Sequence, residues 1–365
     1  MKKTINNFCR NTLGLYRKFQ NRVFGRHEYG QMPKGVECNV EKFKYDENHG
    51  DVVHPCVRFV KEGFEGHKWW MVYTPYYKAD ASLENPILCY SDNDEGVPPT
   101  EWHFYCEVCS KPGKGYNSDP NILFNDGNLY VFWRENETLE TAKRGYCRAT
   151  FCGMIKNGKV VKINEPLLFT SDEEEDAEVS PTFLKRDDDE YVAYAMHLKF
   201  HSKFIRRQSM LIRKLLERIA LIFDLVGIWS QQKYFGYAIW KGANLNNKME
   251  RSETVKFNNC NKLWRPWHMD LFEHKGRLYA IVQTNQCNAD LALAYSDDGR
   301  NFTFFNKPLL TNNNINMLGL YKPTGGVTDN GQFYLYYTAQ APENRSLNKL
   351  FLTTIDFEQL QKKLQ

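Results

Sequence analysis

The chain is predicted to be all-β: a five-bladed β-propeller with a basic N-terminal helical extension and a helical insertion in the third blade. Three observations predict this. A strand–turn–strand pattern returns five times, aromatic residues make up 15% of the chain, and an acidic body is interrupted by two basic segments. Regular self-similarity marks a repeat architecture, and aromatic side chains suit many short strands.

The first copy reads His54-Pro55-Cys-Val-Arg-Phe-Val, a turn ending at Gly66, then Lys-Trp-Trp-Met-Val-Tyr. The second reads Asp119-Pro120-Asn-Ile-Leu-Phe, a turn at Asn125-Asp-Gly, then Leu-Tyr-Val-Phe-Trp. The third opens at Ser180-Pro181 and turns at Asp187-Asp-Asp-Glu before Tyr-Val-Ala-Tyr. The fourth runs His268-Met-Asp270-Leu-Phe, Gly276, Leu-Tyr-Ala-Ile-Val, and the fifth Lys322-Pro323-Thr, Asp329-Asn-Gly331, Phe-Tyr-Leu-Tyr-Tyr. Each Gly or Asp turn fits a tight hairpin. Third strands follow at Pro86-Ile-Leu-Cys-Tyr and Leu291-Ala-Leu-Ala-Tyr, and fourth strands are expected at Leu167-Leu-Phe and Leu309-Leu. The propeller is expected over 36–357, after an extension over 1–35 and before a tail over 358–365, with the insertion at 199–233.

The net charge of +4 hides an uneven spread. Residues 1–35 carry +7 and residues 198–233 carry +6, which leaves the rest of the chain at −9. Such a body argues against nucleic acid, whose phosphates need basic charge around the site, and it predicts an acidic pocket. In the insertion Leu211, Leu215, Leu216, Ile219 and Phe223 recur at helical spacing among Arg206, Arg207, Arg213, Lys214 and Arg218. A helix of this kind packs on the propeller, makes a homodimer, or lies with the N-terminal segment on an anionic membrane surface. Ten cysteines without a disulfide spacing, and no apolar stretch behind the charged start, lead to the expectation of a cytoplasmic protein peripheral at most to the inner membrane. A zinc site at Cys106, Cys109, Cys147 and Cys152 is set aside because its second spacing is atypical, and Asp172–Glu178 is taken as a solvated charge run. No phosphate loop or dinucleotide fingerprint is present, so no cofactor and no metal is expected.

Over about residues 51–357 these features resemble the five-bladed propellers of glycoside hydrolase family 43 and its relatives. The resemblance implies an Asp before Pro as base, a second Asp tuning the acid, and a Glu beside Gly-Pro donating the proton. Only the second copy keeps Asp-Pro, at Asp119; the first has His54-Pro, and the fourth reads Arg265-Pro-Trp-His-Met-Asp270.

The first strand of each blade lines the central funnel, and residues two apart share a face. The expected ring is therefore His54, Asp119, Ser180, His268 and Lys322, with Glu178 and Asp270 two steps away, Arg134 and Glu135 from the second strand, and Glu84 from a loop. Glycoside hydrolysis needs two carboxyl groups across the scissile bond, roughly 6.5–9.5 Å apart in inverting enzymes. Asp119 is the expected base and Asp270 or Glu135 the expected acid. His54 and His268 would bind sugar hydroxyls or tune a carboxylate, Glu84 and Glu178 would bind substrate, Arg134, Arg265 and Lys322 would orient it, and Trp264, Trp267 and Tyr321 would stack on a ring. The function expected is a glycoside hydrolase acting on a polysaccharide or oligosaccharide. The alternatives are a sugar-transferring or lipid-linked-glycan-binding protein of polysaccharide assembly, and a non-catalytic glycan-binding propeller.

Overall fold

The structure, a computed structural model, describes residues 29–41, 51–77, 80–93, 96–113, 115–138, 146–163, 165–171, 176–187, 190–199, 209, 212, 235–261, 264–284, 289–315, 318–340 and 347–365. Five mainly antiparallel sheets stand around one axis, and among the described strands parallel pairs join only Asn39–Val40 to Glu101–Glu107 and Lys256–Asn258 to Asn301–Phe304. Two short strands come first, β1 (Val36–Glu37) and β2 (Asn39–Val40). Blade one follows with β3 (Val53–Phe64), β4 (His67–Thr74), β5 (Ile87–Ser91) and β6 (Glu101–Glu107), and β2 lies parallel outside β6. Blade two holds β7 (Tyr116–Asn125), β8 (Asn128–Thr138), β9 (Tyr146–Lys156), β10 (Lys159–Lys162) and β11 (Leu168–Ser171). Blade three is β12 (Asp176–Asp187), β13 (Glu190–Lys199), β14 (Phe235–Gly242) and β15 (Glu250–Thr254). Blade four combines β16 (Lys256–Asn258), β17 (His268–His274), β18 (Arg277–Gln283), β19 (Leu291–Ser296) and β20 (Asn301–Phe304). Blade five is β21 (Leu318–Val327), β22 (Gln332–Gln340) and β23 (Asn348–Asp356), completed by β1, with Val36 opposite Leu352. Sheet edges left open invite aggregation, and here the beginning of the described chain covers the edge of the last blade.

The innermost strands β3, β7, β12, β17 and β21 contact one another in that order, and β21 returns to β3. Every blade is covered on both faces, which explains why its middle strands are apolar without a gap. Trp69 faces Tyr334 and Tyr336 of blade five, while Trp70, next along β4, packs with Ile122 and Trp133 of blade two. Three further apolar layers fill the remaining blade junctions. Burying an aromatic or large aliphatic side chain contributes about 1.5–3 kcal/mol, so these five layers carry the fold.

The X-Pro steps have a local consequence. Proline offers no N–H to a ladder and bars the preceding residue from the right-handed helical region. The pairing accordingly skips: Val53 faces Thr74 and Cys56 faces Val72, Ser118 faces Arg134 and Asn121 faces Phe132, Val179 faces Met196 and Thr182 faces Tyr194. In these three bulges the residue before proline takes a left-handed backbone, with φ of 52° at His54, 49° at Asp119 and 50° at Ser180, whereas the skip at Lys322-Pro323 in blade five leaves Lys322 outside that region. Blade four has Met269 where the others have proline, and its pairing runs unbroken from His268 to His274.

Two expectations are corrected here. Leu309 and Leu310 are not the fourth strand of blade four; β20 is, and the leucines are fully buried in the layer between blades four and five. The segment expected as a tail is the helix Phe357–Leu364, capped by Asp356, whose carboxylate accepts from Gln359 N at 2.7 Å. Its Phe357, Leu360 and Leu364 fill the same layer. Of the N-terminal extension, 29–35 runs along the propeller, with Met32 buried in that layer, and 1–28 lies outside the described residues. The insertion over 199–233 also lies outside them, apart from Lys199, Ser209 and Ile212, and so do the membrane and dimer expectations that rest on it. Among the described residues no helix is long and apolar enough to cross a membrane.

Candidate active site

The bulges of blades one and two bring His54 and Asp119 together at the starts of their inner strands. His54 Nε2 is 3.2 Å from Asp119 Oδ1, and Arg134 Nη2 from the end of β8 is 2.5 Å from Asp119 Oδ2. An ionised carboxylate only accepts hydrogen bonds, so His54 Nε2–H donates to it and Nδ1 accepts from the Thr74 hydroxyl at 2.8 Å. Arg134 also donates to Ser118 Oγ at 3.0 Å. Tyr321 Oη stands 3.1 Å from His54 Nε2, and its ring lies 5.4 Å from that of His54 and 4.8 Å from that of His268. Lys322 reaches across the axis from blade five to the Pro120 carbonyl at 3.3 Å, its own N–H held by Gln283 Oε1 at 2.8 Å.

Glu84 closes the constellation. It follows the short 3-10 turn Ala81–Leu83, capped by Asp80, and its backbone carbonyl accepts from Asn117 N at 3.2 Å. Its Oε2 is 4.0 Å from His54 Nδ1, so Glu84 and Asp119 stand on the two nitrogens of one imidazole. Their environments drive them apart. Burial, reinforced by the charge of Asp119, pushes the Glu84 carboxyl up to about 8. Burial would raise Asp119 too, but Arg134, His54 and Lys322 outweigh it and hold the carboxylate well below its usual range. Burial pushes His54 down to about 3 and His268 well below the usual imidazole value, in both cases against the pull of Asp119. At neutral pH the ring therefore holds one carboxylate, one protonated carboxyl and two neutral imidazoles, beside Arg134 and Lys322. The acidic pocket expected from the −9 body is not what the site shows, since Arg134 and Lys322 set two cations beside Asp119 and Glu84.

These shifts fix a stability profile. Between about pH 4.5 and 8 an unfolded Glu84 has released its proton while the folded one keeps it, so its contribution falls as pH rises. His54 acts oppositely: between about pH 3 and 6.5 the unfolded imidazole binds the extra proton, so stability rises with pH. From pH 6.5 to 8 the Glu84 effect stands without the opposing histidine, at about 1.4 kcal/mol per pH unit. Thermal denaturation in that window should show the wild type losing Tm relative to Glu84→Gln; parallel curves would refute the buried protonated carboxyl.

The other expected residues divide. Asp270 lies on the same face as His268, two residues further along β17, and is taken up: Arg58 grips it at 2.9 and 2.6 Å, and Thr324 Oγ1 donates at 2.6 Å. Both of its oxygens are engaged by Arg58, Thr324 and the Gly325 N–H, contacts that join three blades and set it apart from the acid role expected of it. Glu135 follows Arg134 on β8 and so points to the opposite face, where it accepts from Trp133 Nε1 at 3.2 Å. Glu178 pairs with His197 Nδ1 at 2.9 Å, with Arg251 Nε at 3.6 Å, at the start of blade three. Trp264 is buried and donates to Asp290 Oδ2 at 3.0 Å, which withdraws it from stacking on a sugar. Trp267 stays half-buried, 6.0 Å from the His268 ring, and Arg265 enters blade four with its charge near Cys260. Sequence reasoning missed Thr74, Ser118 and Arg58. Only Arg58 left a signal, as a charged residue on an inner strand.

This fold and this floor define a five-bladed propeller of the architecture seen in glycoside hydrolase family 43. No family model and no curated protein matches the sequence. Among solved structures, the chain is similar to an N-acetylgalactosamine deacetylase from F. plautii in complex with blood group B trisaccharide, at TM-score 0.65 and 15% identity, over 92% of this chain and 97% of that one. A GH43_1 enzyme from Xanthomonas citri matches at TM-score 0.57 and 12% identity over 88% and 90%. A β-xylosidase/α-arabinofuranosidase from a compost microbial metagenome, in complex with xylotriose, matches at 0.57 and 12% over 88% and 94%. At these identities the likeness is one of fold.

Proposed function

We propose that the protein is a carbohydrate-active hydrolase in which Glu84 transfers the proton. One observation carries this: a carboxyl pushed up to about 8 stands one imidazole away from a carboxylate held ionised. Paired groups whose environments separate their pKa values are how one site runs acid chemistry at neutral pH. Glu84 protonates the oxygen leaving a glycosidic bond, the fixed charge of Asp119 stabilises the positive charge that develops on the sugar ring, and water adds to the anomeric carbon as its proton returns to the Glu84 carboxylate. Held so far below its usual range, Asp119 is a weak base, so its role moves from base to electrostatic partner. His54, fixed by Thr74, orients Asp119.

A second reading, removal of an acyl group from an amino sugar, is supported by His54 standing where a carboxylate base would open blade one, and by the fold likeness to the deacetylase. Incubating the protein with a panel of oligosaccharides, N-acetylated ones included, separates the two. New reducing ends support the first reading and released acetate the second. Neither product from any member would refute both.

A further inference from the structure

Two groups beside Asp119, at the starts of the inner strands, are left without the partners that buried polar groups require. Lys322 is 3% exposed, yet among the described residues its ammonium comes within ion-pair distance of no carboxylate and finds only the Pro120 carbonyl, at 3.3 Å. Asp119 is held at its two oxygens by Arg134 and His54, and its charge reaches Lys322 without a direct contact. His268 is likewise 3% exposed, and neither of its ring nitrogens has a hydrogen-bond partner among the described residues. A buried charge without a counter-charge costs several kcal/mol, and a buried orphan donor about 1–3 kcal/mol. Both orphans border Asp119, whose charge acts on each, and His268 packs against Tyr321, the residue that precedes Lys322.

We propose that this floor binds the acid group of an anionic sugar, a carboxylate or a phosphate, with Lys322 Nζ as its counter-charge and His268 as an N–H donor to it. The inference rests on the carbohydrate reading and deepens it by naming the substrate class. A neutral imidazole offers one donor and one acceptor, so His268 donates its N–H to an acid oxygen and accepts a hydrogen bond from a sugar hydroxyl. A neutral sugar would leave the ammonium without an ion-pair partner in contact. A bare anion would leave the acceptor nitrogen of His268 empty.

Isothermal titration calorimetry on the full chain tests this with glucose, glucuronate, glucose 6-phosphate and inorganic phosphate. The acid sugars are expected to bind at least about tenfold tighter than glucose, the gain typical of a charged hydrogen bond. Which of the two binds tighter distinguishes a carboxylate from a phosphate. Lys322→Met should remove the advantage. His268→Leu, which keeps the lysine, should weaken both acid sugars, and it serves if the lysine variant does not fold. Equal or tighter binding of glucose overturns the proposal and leaves the carbohydrate reading standing. Inorganic phosphate bound as tightly as glucose 6-phosphate, with no response to either other sugar, marks a bare anion site and overturns both. Silence toward both acid sugars, or their undiminished binding to Lys322→Met, also overturns the proposal.

Discussion

Glu84→Gln is expected to lower kcat by about 10²–10⁴-fold on the substrate that the panel identifies, the usual contribution of a positioned general acid or base. Glutamine keeps the volume and the hydrogen-bonding shape but has no proton to transfer. KM should move little, because the interaction lost belongs to the transition state. The pH profile carries the assignment. An acid must be protonated to act, so kcat/KM of the wild type should be level below about pH 8 and fall tenfold per unit above it, following the raised carboxyl. An activity that rises through pH 8 would make Glu84 a base, and a profile without a step near 8 would remove it from proton transfer. Asp119→Asn should also cost activity without moving that step upward, since losing the neighbouring negative charge makes Glu84 easier to ionise and shifts the limb to lower pH.

The second large effect is on folding. Asp270→Ala should destabilise the protein by about 3–5 kcal/mol, the cost of removing one partner from a buried ion pair. Three neighbours converge on this carboxylate, from Arg58 of blade one and from Thr324 and Gly325 of blade five, so the change strands a cation where three blades meet. The double variant Arg58→Leu with Asp270→Leu should recover much of the loss, because no charge is then left uncompensated. Denaturant unfolding of the two variants measures this. If the double variant is no better than the single one, shape rather than charge governs that layer.

The contrast between these carboxylates shows what the sequence made legible. The X-Pro steps and unbroken apolar doublets such as Trp69-Trp70 signal inner and middle strands, because their causes, a missing N–H and burial on both faces, are local. Leu309-Leu310 misled because an apolar pair looks the same in a strand as in a packed turn. Period-two alternation put Asp270 on the face of His268, whereas Arg134 and Glu135 were both taken from the end of one strand, and alternation along that strand lets only Arg134 meet Asp119. The partner of Asp270 was not legible, since Arg58 is 212 residues away. Glu84 was placed at the mouth from its loop, but its role depends on how completely folding removes it from water, and residue order does not encode that directly.

The left-handed bulges set two demands on the protein against each other. At His54, Asp119 and Ser180 the chain holds a conformation that costs a side-chain-bearing residue about 1–3 kcal/mol and costs glycine far less. Selection for heat tolerance alone would drift toward glycine at these positions and would empty the centre of the funnel. At positions 54 and 119 it would discard the imidazole and the carboxylate that frame Glu84. Thermal robustness and chemistry therefore pull on the same backbone atoms in opposite directions, and an engineer seeking a hardier protein has to look to the outer strands instead.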